Sequence, residues 1–322
     1  DIHNWKLGFS KYNQLVTNQV SKEQSYESEE FINICKSLTQ QCGEGFVHGL
    51  PEAVWDLALL WCPTGKLLRK PHTTPEPSWS WTGWEGSGVN FPLDPHSCPD
   101  NRELEGDYFR SEVVNFHIGT LEKPWTIRRE KKQSLRIDYI PYFHAPWGVQ
   151  RPQEYSDTLR FTASTISADS FRTVQLMSDN EEELPYSELM DEKNQHCGNI
   201  MDYRNLISPE DTPPAEDTPK RTFEYVLLSR SRRFPVEHNT KRPALNTAHP
   251  PGMPIWENNR FLWDQTLDDF DSDKFGENEW CMLNVMLIEH QTEGFAERVA
   301  IAQIHEEAWQ AQNPVKKDIC LR

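Results

Sequence analysis

The 322 residues contain no apolar run that approaches the length of a bilayer, so a membrane-spanning helix is not expected. No basic stretch followed by a short hydrophobic segment opens the chain, and there is no Asn-x-Ser/Thr sequon, so secretion is not expected either. The seven cysteines are odd in number and irregularly spaced, which excludes a disulfide framework. These absences predict a reducing, cytoplasmic setting. Positive charge is also short: 33 Lys and Arg stand against 50 Asp and Glu, a net charge of −17. Such a chain has no general attraction for phosphate backbones or anionic lipid, so neither nucleic acid nor membrane is an expected partner. Hydrophobic residues make up only 36%, below the usual share, and no internal repeat or clean linker divides the chain.

Aromatic residues, at 11% with twelve tryptophans, make up for the missing aliphatics because each buries a large area. The excess acid lies in blocks such as Glu181-Glu182-Glu183 and Asp268–Asp273, the pattern of solvated loops. The first residue is Asp, which predicts either a processed product or a piece of a longer protein, the second being favoured.

Residues 1–76 read as a helical segment. Ser25 can cap a helix with Glu27, Glu29 and Glu30 in its first turn, followed by Phe31, Ile34, Cys35, Leu38 and Cys42 at helical spacing. A second, buried helix is expected from Pro51, ended by Cys62-Pro63. Residues 77–322 read as β-rich and mostly antiparallel. Trp79 and Trp81, two apart, are expected to share a strand face. Further strands are expected at 112–118, 135–140, 158–166, 171–177, 223–229, 282–289, 295–304 and 319–321, with 158–166 and 171–177 as neighbours. The last pair before the C-terminus joins through Gln291–Gly294 as a hairpin, and 305–312 reads as a short helix. Ser208–Lys220 and Phe234–Ile255 are proline-rich loops. The expected fold class is therefore α+β, an N-terminal helical layer followed by a β-rich region with long acidic and proline-rich loops.

The motifs of common chemistries are incomplete. Gly65-Lys66 has the end of a phosphate loop, but Leu60 stands where the first glycine belongs and Leu67 where the hydroxyl belongs. Asp269, Asp271 and Asp273 alternate like calcium ligands, but Lys274 replaces the glycine and Trp280 the closing glutamate. His96 with Cys98 and His196 with Cys197 are poorly spaced and far apart for zinc. Gly86-Ser87-Gly88 is too short for a nucleophile elbow. Cys35, Cys42, Cys62 and Cys281 sit on apolar faces or element ends, as inert thiols do. No cofactor, metal site or catalytic residue is expected.

Two features remain as candidate partner or ligand surfaces. Trp79, Trp81 and Trp84 could stack a sugar or base, although core packing accounts for them more simply. Arg230, Arg232 and Arg233 form a basic cluster after a strand, which reads either as a partner site or as a solvated strand end.

Several segments resemble fungal heterokaryon-incompatibility (HET) domain proteins, in the region that follows the HET domain. Gly49-Leu50-Pro51 through Asp56-Leu57-Ala58-Leu59-Leu60-Trp61 is similar to that family's "GLP…FDLALLW". Pro77–Trp84 (PSWSWTGW) is similar to "PSWSWAGW", and Phe223–Ser231 to "EFVLLSRS". Asn284–Glu289 with Ala296–Ile304 is similar to "NVMLIE…AERVGIGQI", and Tyr26–Leu38 to a preceding helix. Thr82 for Ala and Trp55 for Phe are small departures. The family's "SYVWG" and "RxWTxQE" segments, which belong to the HET domain, are absent.

The resemblance implies a non-catalytic region of a protein of non-self recognition and programmed cell death. Its implied partners are its own HET domain and another incompatibility protein. Any NAD-cleaving chemistry would belong to that TIR-like domain, so this chain is not expected to be an enzyme. The alternative is a tryptophan-based carbohydrate- or ligand-binding module. A third reading, an enzyme assembled from His48, His117 or His144 with distant carboxylates, has no motif behind it.

Overall fold

The computed structural model describes Tyr12, Val16, Asn33 and residues 45–71, 76–86, 88–91, 107–119, 121–129, 134–136, 157–177, 183–201, 206–207, 221–231, 255–257, 260–262, 270–291 and 294–322. Its centre is a 12-stranded sheet. The strands are β1 (Asp107–Ser111), β2 (His117–Gly119), β3 (Pro124–Thr126), β4 (Ser134–Arg136), β5 (Leu159–Ser167) and β6 (Arg172–Met177). They continue as β7 (Glu183–Met190), β8 (His196–Met201), β9 (Thr222–Ser231), β10 (Met282–His290), β11 (Ala296–His305) and β12 (Val315–Leu321).

Three long strands, β9, β10 and β11, form an antiparallel centre. Each outer strand of that trio splits its free edge. β9 gives Glu224–Val226 to β5 and Ser229–Ser231 to β1. β11 gives Ala296 to β12 and Ile301–Ile304 to β8. Because β5 also pairs with β12, the ladder β9–β5–β12–β11–β10 closes on itself at one end. At the other end it spreads into β1–β4 on one side and β8–β7–β6 on the other.

This architecture puts apolar residues on both faces of the central strands, which is why β10 reads as an apolar run broken only by Asn284 up to Ile288, rather than an alternating one. Met286 and Ile288 join one core with Val226, Leu228, Phe161, Leu321 and the tryptophan-rich segments. Leu283, Val285 and Leu287 join a second core with Tyr225, Leu227, Ile304 and Trp309. The face changes along β11 at a bulge opposite Leu287/Ile288: Ala296 and Arg298 face the first core, and Ala300 and Ala302 the second.

The expected helical layer is corrected. Among the described residues, Tyr12, Val16 and Asn33 are α-helical, two short helices follow, α1 (Trp55–Ala58) and α2 (Glu306–Ala311), and the remainder is mainly β. The apolar run after Pro51 makes one 3₁₀ turn (Glu52–Val54) and the single turn of α1, not a long helix. Short strands surround it: Phe46–Val47 and Leu50–Pro51 pair with each other, Cys62–Pro63 pairs with Val89–Asn90, and Leu67–Arg69 pairs with Trp84–Gly86. A run apolar on all sides records burial, not helix, and here three-dimensional packing sets the backbone. The helix expected after Ser25 lies outside the described residues, apart from Asn33.

Two further expectations change. Trp79 and Trp81 do not lie on one strand, because Ser78–Ser80 form a turn and Trp81–Gly83 a 3₁₀ turn. β5 and β6 are consecutive but unpaired, since β6 pairs with β7. The β10–β11 hairpin, α2 and strands at the expected positions from 158 onward are present; the strand expected at 112–118 is instead loop up to Phe116, with only His117 and Ile118 in β2, and of 135–140 only Leu135 and Arg136 are described, in β4. The described pairings are antiparallel apart from β11–β12 and Leu206–Ile207 with Leu67–Leu68. Ser208–Lys220 and Phe234–Pro254 lie outside the described residues.

Candidate functional site

The segments singled out in the sequence meet around Arg298. This arginine leaves the bulged part of β11 toward the first core and is only 2% exposed. Its Nη1 donates to the Leu59 carbonyl at 2.7 Å, its Nη2 donates to the Trp61 carbonyl, and its guanidinium carbon lies 3.8 Å from the Trp61 ring centroid. These carbonyls follow α1, so a cation sits where a helix end presents unpaired acceptors. Burial pulls the Arg298 guanidinium down to about 9, with Cys62 opposing; it is charged at neutral pH.

Ser78 ties the same place to the tryptophan segment. Its Oγ accepts from the Arg298 backbone N–H at 3.1 Å, and both its N–H and its hydroxyl donate to the Arg322 carbonyl. The indoles around it are hydrogen-bonded inward. Trp61 donates to the Trp79 carbonyl (3.0 Å), Trp79 to the Asp157 carbonyl (3.0 Å), Trp84 to the Ser78 carbonyl (2.9 Å) and Trp81 to the Tyr12 hydroxyl (3.0 Å). Trp79, Trp81 and Trp84 are 0%, 3% and 6% exposed. A stacking platform needs an open ring face, and none of the three rings presents one.

Two glycines are required by this packing. His48 and Gly49 form the tight turn between Phe46–Val47 and Leu50–Pro51, with φ of 44° and 77°, the left-handed geometry of a two-residue hairpin. Ser80 Oγ donates to the His48 carbonyl at 2.5 Å, and a Cβ on Gly49 would sit 2.7 Å from Trp81. At Gly83 a Cβ would lie 2.2 Å from the Pro77 carbonyl oxygen. Arg69, 4% exposed, closes the turn by donating to the carbonyls of Glu76 (3.1 Å) and Gly83 (2.8 Å) and by meeting Glu297 at 3.4 Å. Burial lowers its guanidinium below the ordinary value, with Glu297 opposing.

A second polar cluster lies on the β10 face that carries Met286. Asn284, fully buried, donates from Nδ2 to Ser229 Oγ (3.1 Å) and Ser231 Oγ (2.8 Å), and its Oδ1 accepts from Gln303 Nε2 at 2.9 Å. A third holds α1 from outside: Asp56 receives Arg129 Nη1 at 2.5 and 2.6 Å and the Ser111 hydroxyl at 2.6 Å.

The other sequence candidates are dispersed. Arg230 is paired with Glu112 at 2.5 Å and Glu306 at 2.8 Å. Burial alone would lower its guanidinium, but the bonds to Glu306 and Glu112 outweigh that and raise it. Arg232, Arg233, His144, His96, Cys98, Cys35, Cys42, Ser87 and Asp269 lie outside the described residues. His117 Nδ1 lies 3.1 Å from Thr126 Oγ1, and the His48 ring stands edge-on to Trp79 at 5.3 Å. His196 bonds Gly198 and Asn199, while the Cys197 thiol donates to the Leu189 carbonyl. Burial, then Asp191, push that thiol up to about 12, so it is unreactive. Cys62 and Cys281 are buried. Asp271 Oδ1 accepts the Asp273 N–H, an ordinary turn. Among the described residues no group of three His, Cys, Asp or Glu side chains gathers as for a metal, and no helix is long and apolar enough to cross a membrane.

Sequence reasoning passed over Arg298, Asn284 and the Asp56–Arg129 pair as site residues. The available signal was a charged or amide side chain inside an otherwise apolar strand (Ala296-Glu297-Arg298-Val299-Ala300 and Cys281-Met282-Leu283-Asn284-Val285), which is costly unless its partners are built in. Comparison with protein-family models, curated proteins and solved structures returns no match.

Proposed function

We propose that this chain is the non-catalytic region of a HET-domain protein, acting in the cytoplasm in fungal non-self recognition and programmed cell death. In this reading it packs against its own HET domain or presents a surface to another incompatibility protein, and NAD cleavage belongs to the HET domain. One observation carries the reading: the segments that resemble the family are each other's buried partners. Leu59 and Trp61 bind Arg298, Ser78 binds the Arg298 backbone, and Ser229 and Ser231 bind Asn284, which binds Gln303. Segments that depend on one another in this way form one structural unit, which supports reading them as one set.

The full-length transcript is expected to encode a HET domain before Asp1. A transcript that encodes an unrelated domain there overturns the proposal. So does turnover of NAD by the purified chain at an enzymatic rate, above about 1 per second.

A further inference from the structure

Arg110 lies near the C-terminal end of β1, directly opposite Arg230 of β9. Like charges at facing positions of an antiparallel ladder repel. Arg230 is neutralised by Glu112 and Glu306 and donates to the Trp280 carbonyl at 3.3 Å. Arg110 is exposed, and no hydrogen bond or ion pair to the described residues holds it. Its guanidinium carbon lies 3.9 Å from the centroid of the Trp280 ring. Trp280 is itself held: its N–H donates to Asn278 Oδ1 at 2.9 Å, its carbonyl accepts from Arg230, and the next residue, Cys281, is buried. The result is a guanidinium laid on a fixed indole, its N–H donors unused by the described residues. Part of the ordering cost of binding is met before any ligand arrives, and the guanidinium fork matches a carboxylate with two parallel bonds. Arginine and tryptophan are the side chains most often found at the energetic centre of protein interfaces.

We infer that Arg110 and Trp280 form a docking point for a single carboxylate, an Asp or Glu side chain on an otherwise uncharged segment of a partner protein. A nucleic-acid strand fits the surroundings less well. The chain carries a net charge of −17, and the exposed Glu112 and Glu279 neighbour the two docking residues in sequence. A continuous phosphate backbone meets that negative field along its length, whereas a single carboxylate meets the fork alone. The inference rests on these contacts and not on the family reading above.

The test is an NMR titration of the ¹⁵N-labelled full chain with the singly charged peptide acetyl-GGEGG-amide, following the Arg110 Nε–H signal and the backbone amides around Trp280. A saturable shift is expected. Arg110→Ala should abolish binding while leaving the circular dichroism spectrum unchanged. Arg110→Lys keeps the charge but loses the fork, and Trp280→Ala removes the platform; each should weaken binding about tenfold or more, equivalent to about 1.4 kcal/mol. Three results overturn the inference: no saturable shift in the wild type, the same affinity in Arg110→Ala, or tighter Arg110-dependent binding of an oligothymidylate than of the peptide.

Discussion

At the scale of single residues, Arg298 shows how a buried charge is made tolerable without a carboxylate. Its compensation comes from two backbone carbonyls and an aromatic face, a geometry that suits a planar guanidinium and not an ammonium. Arg298→Lys keeps the charge but cannot span both carbonyls and stack at once. It is expected to destabilise the protein by roughly 3 kcal/mol, read from urea unfolding midpoints; a loss under about 0.5 kcal/mol, the usual range for surface changes, contradicts the role given to it.

Glu224 is a residue-scale case for pH. Its carboxylate binds Lys317 and meets His290 at 2.8 Å. Burial alone would raise its pKa, but the bonds from Lys317 and His290 outweigh this and hold it below the ordinary 4.5. A folded value below the unfolded one means that the stabilisation is fully present above 4.5 and disappears as pH falls through the lowered value. Glu224→Gln should therefore be less stable than wild type at neutral pH, with the gap closing in acid. A gap of equal size at both pH values counts against this account.

At the scale of elements, α1 has a single turn and cannot stand on propensity. It is held inside by Trp55 against Trp79 and Phe116, and outside by the Asp56–Arg129 pair, whose side chains are 14% and 10% exposed. Arg129 also donates to the carbonyls of Val113 and Val114 and lies over Phe116, so it joins α1 to the loop between β1 and β2. Asp56→Ala leaves a largely buried guanidinium short of its counter-ion and should cost about 3 kcal/mol. The double variant Asp56→Ala/Arg129→Met should lose less than the sum of the two single losses in a double-mutant cycle; strict additivity rules out the coupling.

At the scale of the whole molecule, β9, β10 and β11 belong to both cores, so neither core can dissolve without stripping one face of the same sheet. Met286→Ala in the first core and Leu283→Ala in the second should each cost roughly 2–5 kcal/mol. Both should shift one shared transition. The first core holds Trp55, Trp61 and Trp79, and the second holds Trp309, so tryptophan fluorescence and far-ultraviolet circular dichroism should give coincident curves. Two resolved transitions in either variant exclude a shared core.

The strands legible in advance were those whose signal is local. β10 and β11 are long apolar-rich runs joined by a short Gly-containing turn, and α2 follows His305, whose Nδ1 accepts the Glu307 N–H at 3.2 Å. Strand β7 was not legible, because its start at Glu183 lies in an acidic block that reads as loop. The split edges of β9 and β11 depend on strands that are not their neighbours in sequence (β1 and β5 for β9, β8 for β11), and Arg298 takes its place against Leu59 and Trp61, 239 and 237 residues away.

The sequence alone determined that this chain must fill its interior with aromatic residues, since aliphatics are scarce and tryptophan supplies the volume. It also determined the net charge of −17, because the charge balance is a property of composition. Tertiary structure decided which way each residue faces. The run after Pro51 became a 3₁₀ turn and a single α-helical turn instead of a long helix, the indoles of Trp61, Trp79, Trp81 and Trp84 turned inward with their N–H groups paired, and Arg110 was left lying on Trp280 without an ion pair to the described residues. Periodicity records that a position is buried, and only the packed neighbours decide against what.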